Sequence, residues 1–560
     1  MVVAPLYRLG RATTAVGKAS ADAPSEIGAC VGAGHQAKNS GGGTQKGVKS
    51  RLLVAGVMLA LIPVLWIVQW AVTKSRPQAR PNVLMILTDD QPLPSLAAMP
   101  KTTAWFGRSS TRFTNSFVTT PLCCPARASI FTGRYSHNHG VVTNSEVEQV
   151  AGLDQHTTFQ YHLDRAGYRT ALFGKYLNAW ELERRPPYFD EWAMFTHSAE
   201  ANYGEGEWNT DNDIAPVKQY SSDLIGARAD HLIRGEIVAR RIALLVCAAV
   251  LLGGVWAAMH RRTLVAAAAV AVVVVVSIAM AFVTGSSDKP WLIILSTAAP
   301  HIPSVVRTED SKAPVPVMRR TPVHTEADLS DKPSFIQEGV MSDAWAQFVR
   351  KKQLRSLWSV DDLVDRVMRS VADTGDLANT LAIFTSDNGL LWGDHGNVGK
   401  GYPYTNSIKV PLLVRWPAQL QLRGTDRRMV NNLDLAPTIL DVTGVPYSSD
   451  IAMDGRSLLD TSRKRDRIFL EYKKQRFAVA RPCPELGCTP GWKSLRAPGY
   501  QYTEYYQRGR VLSREYYDLR RDPWQLQNLL GDANRKNDPD VEGLAAQLRD
   551  DMLCKGLDCP

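Results

Sequence analysis

NVLMILTDDQ, residues 82–91, decides how the chain folds. Its first six residues carry no polar alternation after Asn82, which predicts a strand buried on both faces, as in a parallel sheet. Two adjacent carboxylates, Asp89 and Asp90, then stand where that strand ends. Three further stretches repeat the plan: YRTALF runs into GKYLN, PWLIILS into TAAPH, and TLAIFTS into DNG. Between them lie helical patterns such as TFQYHLDRAG and VDDLVDRVMRSVADTG. The alternation predicts an α/β fold with a large mixed, mostly parallel sheet flanked by helices. In open α/β sheets ligands bind beyond the carboxyl ends of the strands. Four strands place Asp89 and Asp90, Lys175, His301, and Asp387 with Asn388 at such ends.

Asp89, Asp90, Asp387 and Asn388 offer only hard oxygen donors, a set that suits Ca²⁺ or Mg²⁺ rather than zinc. Either pair alone reads as an ordinary turn signal; two pairs at two strand ends read as a metal site. A second feature is PLCCPARASIFTGRYSHNHG, residues 121–140, with two adjacent cysteines before Pro125. Proline belongs in the first turn of a helix, where its missing N–H costs nothing. That puts Cys123 at or just before a helix N-terminus, where orphan N–H groups favour an anion. Arg127 adds a guanidinium fork for an oxyanion. A thiol beside a hard cation is chemically odd, because a thiolate is a poor ligand for calcium.

The chain has 560 residues, a formal charge of +10 and a hydrophobic fraction of 45%. It is long enough for several domains, and its charge suits an anionic partner. No zinc-finger spacing, RNA-binding signature or concentrated basic helix points to nucleic acid. Leu52 to Val72 is 21 residues without a charge, long enough to span a bilayer. The basic residues before it and the missing small-residue cleavage site after it predict an uncleaved anchor rather than a signal peptide. Ile242 to Met259 and Thr263 to Val283 are two further uncharged runs, separated by His260, Arg261 and Arg262. No face of either is polar, and they predict a transmembrane hairpin with its basic tip in the cytoplasm. The expected organisation is a flexible cytoplasmic tail over 1–50 and an anchor over 51–73. A catalytic domain over 80–445 follows, interrupted by the hairpin at 242–283, and faces away from the cytoplasm at the cell membrane. Cys483 with Cys488, and Cys554 with Cys559, close short loops that suit disulfides in an oxidising compartment. Unpaired thiols are the alternative; a zinc site is disfavoured because no histidine stands near either pair.

CCPAR matches the C-x-P-x-R signature of type I sulfatases, and TGRYSHNHGV resembles the family's continuation. ILTDDQ, FGKYLN, APHIP, FTSDNG, GKGYPY, IKVPLLVRWP, LDLAPTILDVTGVP, DGRSLL and EYYDLRRDPWQLQNLL extend the resemblance over roughly 80–235 and 286–530. GKYLN and FLEY look closest to the N-acetylglucosamine-6-sulfatase-like branch. The resemblance implies the alkaline-phosphatase-like fold, with a smaller α+β subdomain over 446–535 and a tail over 536–560. It implies that Cys123 is converted to formylglycine by a formylglycine-generating enzyme, while Cys124 fills the variable position. Formylglycine at 123 would also touch the metal. One geminal hydroxyl of its hydrate attacks sulfur, and the other later expels sulfate and restores the aldehyde. Arg127, Lys175 and Lys400 would neutralise the sulfate oxygens, and His301 would protonate the leaving alcohol. His137, His139, Asn178 and His395 are candidates for substrate contact or support. Leu177 replaces a histidine that several sulfatases carry two residues after the lysine, which leaves the elimination base unassigned. Thr405 replaces a glutamate that follows the tyrosine in many relatives. The implied substrate is a sulfated small molecule or glycan. Competing expectations are a phosphonate monoester or phosphodiester hydrolase of the same superfamily, and a non-catalytic glycan-binding relative.

Overall fold

The computed structural model describes residues 80–560 apart from 108, 145, 179, 196–202, 236–288, 418–422, 448–451, 463 and 475–488. The tail, the three apolar runs expected in a membrane, and the pair Cys483 and Cys488 lie outside the described residues. Among the described residues no helix is long and apolar enough to cross a membrane.

Among the described residues twelve strands come before residue 432. They are β1 (Asn82–Thr88), β2 (Ser110–Phe117), β3 (Arg169–Gly174), β4 (Glu191–Phe195), β5 (Gly206–Thr210) and β6 (Asp213–Val217), then β7 (Trp291–Ser296) and β8 (Thr380–Ser386). A small hairpin, β9 (Leu391–Asp394) and β10 (Asn397–Gly399), precedes β11 (Leu412–Arg415) and β12 (Gly424–Asn431). Ten of them form one sheet in the order β12-β2-β11-β8-β1-β7-β3-β4-β5-β6. Its centre, β8-β1-β7-β3-β4, is parallel throughout, and β11, β5 and β6 run antiparallel to their neighbours. The sheet is thus mixed with a parallel core, as the unbroken apolar runs required.

Successive side chains of a strand point to opposite faces, and here each face has its own core. Val83, Met85 and Leu87 of β1 pack with Ala128 and Phe131 of α1 (Cys123–Thr132) and with Leu435 and Ile439 of α3 (Leu435–Thr443). Leu84 and Ile86 face the other way, onto Leu357, Val360 and Val364 of α2 (Asp343–Asp373). Ser342 starts α2 by accepting a hydrogen bond from the Trp345 amide; the helix begins well before the VDDLVDRVMRSVADTG pattern. Helix α1 starts at Cys123 itself and stops at Gly133, whose φ of 67° ends it in the left-handed conformation.

A second sheet, antiparallel throughout, runs β13 (Ile468–Tyr472), β14 (Gly491–Arg496), β15 (Tyr500–Gln507) and β16 (Arg510–Asp518). Leu548 of α4 (Val541–Asp551) packs on Phe469, Leu495 and Tyr502 of this sheet. Cys554 and Cys559 form a disulfide. The loop they close docks on the SHNH turn: His137 Nε2 and Asn138 Nδ2 lie 3.2 and 3.0 Å from the Cys554 carbonyl.

Candidate functional site

The strand ends meet as expected. Asp89 and Asp90 leave β1, Lys175 leaves β3, His301 follows β7, and Asp387 with Asn388 follow β8. Asp90 takes a positive φ of 65°, which turns its side chain across the sheet edge. There Asn388 Nδ2 and Lys400 Nζ both donate to Asp90 Oδ1, each at 2.6 Å. The Asp90 amide donates to Asp387 Oδ1 at 3.2 Å.

Cys123, the first residue of α1, points into this group. Its Sγ lies 3.2 Å from Asp89 Oδ1 and 2.8 Å from Lys400 Nζ. Cys124 turns the other way, into the apolar core with Val83 and Met85. Adjacent cysteines on a helix start therefore serve opposite sides. Arg127, one turn on, is fully buried and used at every nitrogen: Nε meets Asp387 Oδ2 at 2.8 Å, Nη1 meets the Lys175 carbonyl at 3.1 Å and Ser296 Oγ, and Nη2 meets Asp89 Oδ2 at 3.3 Å. Lys175 Nζ donates to the same Asp89 oxygen. His301 Nδ1 donates to the Ile302 carbonyl, and its Nε2 faces Asp90 Oδ2 at 3.6 Å.

Electrostatics follow from burial with mixed charge. Burial alone would raise Asp89, yet Lys175, His301, Arg127 and Lys400 hold its carboxyl well below the usual range. Burial, then the negative Asp89, push Asp387 up to about 6 against the pull of Arg127. Burial would lower Lys400, but Asp90, with Asp89 and Asp387, outweighs it and keeps the ammonium charged. Burial and Asp89 push the Cys123 thiol well above its ordinary value. As plain cysteine the residue is a neutral thiol, a poor nucleophile.

The donor set fits a hard divalent cation. Asp89, Asp90, Asp387 and Asn388 converge on hard oxygen. Asn388 Oδ1 is buried without a hydrogen-bond partner, the kind of orphaned atom a missing ion explains. Ligand atoms of Asp89, Asp90, Cys123 and His301 lie within 4.8 Å of one another.

The other sequence candidates sit differently. His137 Nδ1 bonds Glu471 at 3.0 Å while its Nε2 faces the Cys554 carbonyl, and His139 bonds Ser129 Oγ at 3.0 Å and the Val141 amide at 3.1 Å. Both ring nitrogens of each are committed to holding the turn after α1. His395 sits at the tip of the β9–β10 hairpin with φ of 51°, bonded to Glu326 and packed against Tyr404; it braces the hairpin that delivers Lys400. Asn178 is buried on the loop after Lys175, and Leu177 is in the hydrophobic core. Tyr404 gives its hydroxyl to Glu515 and Thr405 gives its own to Gln525, so both face the second sheet. Sequence reasoning missed Ser296 and Gln353. Gln353 Nε2 donates to the carbonyls of Asp90 and Pro300, at 3.2 and 3.0 Å, and its Oε1 accepts from Trp392. A glutamine on the buried stripe of α2 was the signal available.

Comparison with known proteins agrees with this geometry. Residues 81–445 match the family model described as Sulfatase, and 393–552 match N-sulphoglucosamine sulphohydrolase, C-terminal. The chain is 30% identical over 446 residues to N-acetylglucosamine-6-sulfatase of Homo sapiens, covering 74% of this chain and 70% of that protein. It is 31% identical over 410 residues to the extracellular sulfatase SULF-1 homolog of Drosophila melanogaster, covering 70% of this chain. The chain spans 32% of the length of that Drosophila protein and 57% of the putative extracellular sulfatase Sulf-1 homolog of Caenorhabditis elegans. Among solved structures, BT4656 in complex with its substrate D-glucosamine-2-N,6-O-disulfate superposes with a TM-score of 0.61 at 20% identity. The match covers 84% of this chain and 97% of that one, a likeness of fold. With one model matched across the whole central sheet and a human relative matched over more than two thirds of its length, this chain belongs to the sulfatase family.

Proposed function

We propose that the chain hydrolyses sulfate esters of aminosugar-containing glycans, with residue 123 acting as formylglycine beside a divalent cation. One observation carries this reading. Residue 123 stands at a helix start between Lys400 and Asp89, its thiol held neutral, with an orphaned Asn388 oxygen among three aspartates. A cysteine so placed is idle as a thiol and useful once oxidised to an aldehyde whose hydrate supplies the attacking hydroxyl. A hard cation held by Asp89, Asp90, Asp387 and Asn388, Ca²⁺ or Mg²⁺, supplies Lewis acidity to the sulfate oxygens when bound.

The chain's own groups do the rest. Arg127 is locked by four hydrogen bonds and orients Asp89 and Asp387. Lys175 and Lys400 present ammonium groups to a sulfate lying over residue 123, where charge builds in the transition state. His301, with Nδ1 tied to the Ile302 carbonyl, has Nε2 turned toward the cluster to protonate the leaving alcohol oxygen. Leu177 lies in the core, so the base that assists sulfate release comes from elsewhere than that position. The aminosugar assignment draws on the human relative and on the glucosamine disulfate bound in the BT4656 structure.

We also propose attachment to the cell membrane through Leu52 to Val72, with the catalytic part outside the cytoplasm. The Cys554–Cys559 disulfide supports an oxidising compartment. Mass spectrometry of the Cys123 peptide from the native host, with parallel assays of glucosamine 6-sulfate and an aryl phosphodiester, tests the catalytic reading. Formylglycine with preference for the sulfate ester is expected. An unmodified thiol throughout rules out the formylglycine enzyme, and preference for the phosphodiester assigns the chain to the phosphonate monoester and phosphodiester hydrolases instead.

A further inference from the structure

A cavity of about 270 Å³ opens beside the carboxyl ends of β2 and β12, at the edge of the sheet. Phe117, the last residue of β2, forms part of its wall, and positive charge surrounds it. Two of its basic residues are spent: Arg465 grips Asp434 through two bonds of 2.6 Å, and Arg428 holds Asp426 at 2.8 Å. Arg427 and Lys464 stand exposed at the rim.

Of the three buried arginines without a carboxylate partner among the described residues, Arg350 and Arg415 bond the carbonyls of Pro316 and Leu377, and only Arg496 lines this cavity. It is 8% exposed, and its guanidinium lies over the Phe117 ring, 5.2 Å from the centroid. Nη1 donates to Gln501 Oε1 at 2.6 Å and reaches Thr405 Oγ1 at 3.4 Å. Among the described residues no carboxylate pairs with it, and its Nε is buried without any hydrogen-bond partner. Lys409 crowds the same ring at 5.7 Å and bonds only the neutral Asn115 Oδ1, at 3.2 Å. Burial pulls Arg496 down to about 10, and burial together with Arg496 pulls Lys409 down to about 8. Arg127, Lys175, Lys400 and Lys332 all have carboxylates. A buried and a half-buried like charge with no counter-charge among the described residues are costly to keep unless one arrives from solution.

We infer that this cavity is a second oxyanion site, which takes a sulfate or carboxylate group of a polyanionic glycan whose esterified sugar occupies the Cys123 pocket. The inference rests on the proposed sulfatase activity and narrows its substrate to chains bearing more than one anionic group. β2 runs antiparallel to β11, and β11 antiparallel to β8, so Phe117 ends at the same edge of the sheet as Asp387. Cys123 is six positions on from Phe117, so their Cα atoms are at most about 20 Å apart. One oligosaccharide can bridge that span.

The test is binding by the full chain carrying Cys123→Ala, so that no substrate turns over, titrated with a heparin-derived tetrasaccharide and separately with inorganic sulfate at fixed salt. Arg496→Gln, and the rim pair Arg427→Ala with Lys464→Ala, should each weaken tetrasaccharide binding at least tenfold. Arg508→Ala with Arg510→Ala, on the exposed turn between β15 and β16, should leave it unchanged. The rim pair is exposed and folds irrespective of what Arg496→Gln does. Unchanged affinity in the rim pair overturns the site, as does an equal loss in the Arg508 and Arg510 control. If inorganic sulfate binds as tightly as the tetrasaccharide and the rim pair weakens both alike, the glycan assignment is overturned in favour of a free-anion site. Loss of binding in the rim variant of a protein that hydrolyses no sulfate ester would refute the catalytic reading and leave this site standing.

Discussion

At the scale of single residues, the environment of Cys123 dictates its use. Its thiol is buried against Asp89 and cannot ionise readily, while Lys400 and Asp90 are already arranged for oxygen chemistry. Cys123→Ser should therefore reduce sulfate ester hydrolysis by roughly 10³-fold or more, since a serine lacks the second hydroxyl that resets the site. Lys400→Ala should lower kcat by about 10²–10³-fold, the cost of one lost oxyanion contact, measured at saturating glucosamine 6-sulfate. His301→Ala should cost about 10²–10⁴-fold on an alkyl sulfate and far less on 4-nitrophenyl sulfate, whose phenolate leaves unprotonated. Equal losses on both substrates would remove His301 from the acid role. Asp89, Asp90, Lys175, His301, Asp387 and Asn388 were legible because each follows an apolar run, Cys123 and Arg127 because Pro125 marks a helix start, and Lys400 only through the family resemblance. Ser296 and Gln353 were not: their partners lie 169 and 263 residues away, and only folding brings them together.

At the scale of elements, strand register sets the site's geometry. Gly174 ends β3 with φ of 108°, and a Cβ there would stand 1.9 Å from the Ser296 carbonyl oxygen of the adjacent β7. The contact is with backbone, so no rotamer relieves it. Gly174→Ala should push Lys175 off Asp89 and Arg127 off Ser296. Activity should fall by at least about tenfold, as misplacement near 1 Å does elsewhere, with a lower urea midpoint as the structural readout. The parallel core could be read from unbroken apolar runs, whereas the start of α2 could not: its first half, 343 to 359, mixes Trp345 and Phe348, both exposed, with buried Arg350 and Gln353. There tertiary contacts override the simple apolar stripe.

At the scale of the whole molecule, the second sheet is fastened to the first through the turn that follows α1. Glu471 of β13 receives His137 at 3.0 Å and Lys493 at 2.7 Å. Burial would raise Glu471, but Lys493 and His137 hold its carboxyl well below the usual range. Burial would lower His137, but Glu471 raises it. The depressed Glu471 contributes stability above its unfolded value, near 4.3, and loses it as pH falls through the folded value. The raised His137 contributes fully below its unfolded value, near 6.5, and loses it as pH rises through the folded value. Melting temperature should therefore decline less steeply above neutrality in His137→Gln than in the parent, and parallel profiles would contradict the clamp. Cys554→Ala with Cys559→Ala should lower unfolding free energy by about 2 kcal/mol, the loop-closure term for so short a ring, read from urea titration. The spacing of these cysteines announced their pairing, but nothing local announced that the loop would rest on residues more than 400 positions earlier. The two central neighbours β1 and β7 are parallel, with Val83 opposite Leu292, so the chain enters both from the border of the sheet opposite the acidic residues. Anything fastened upstream of either strand pulls on that rear border. Cys123, beside Asp89 at the forward border, stands away from both points of entry.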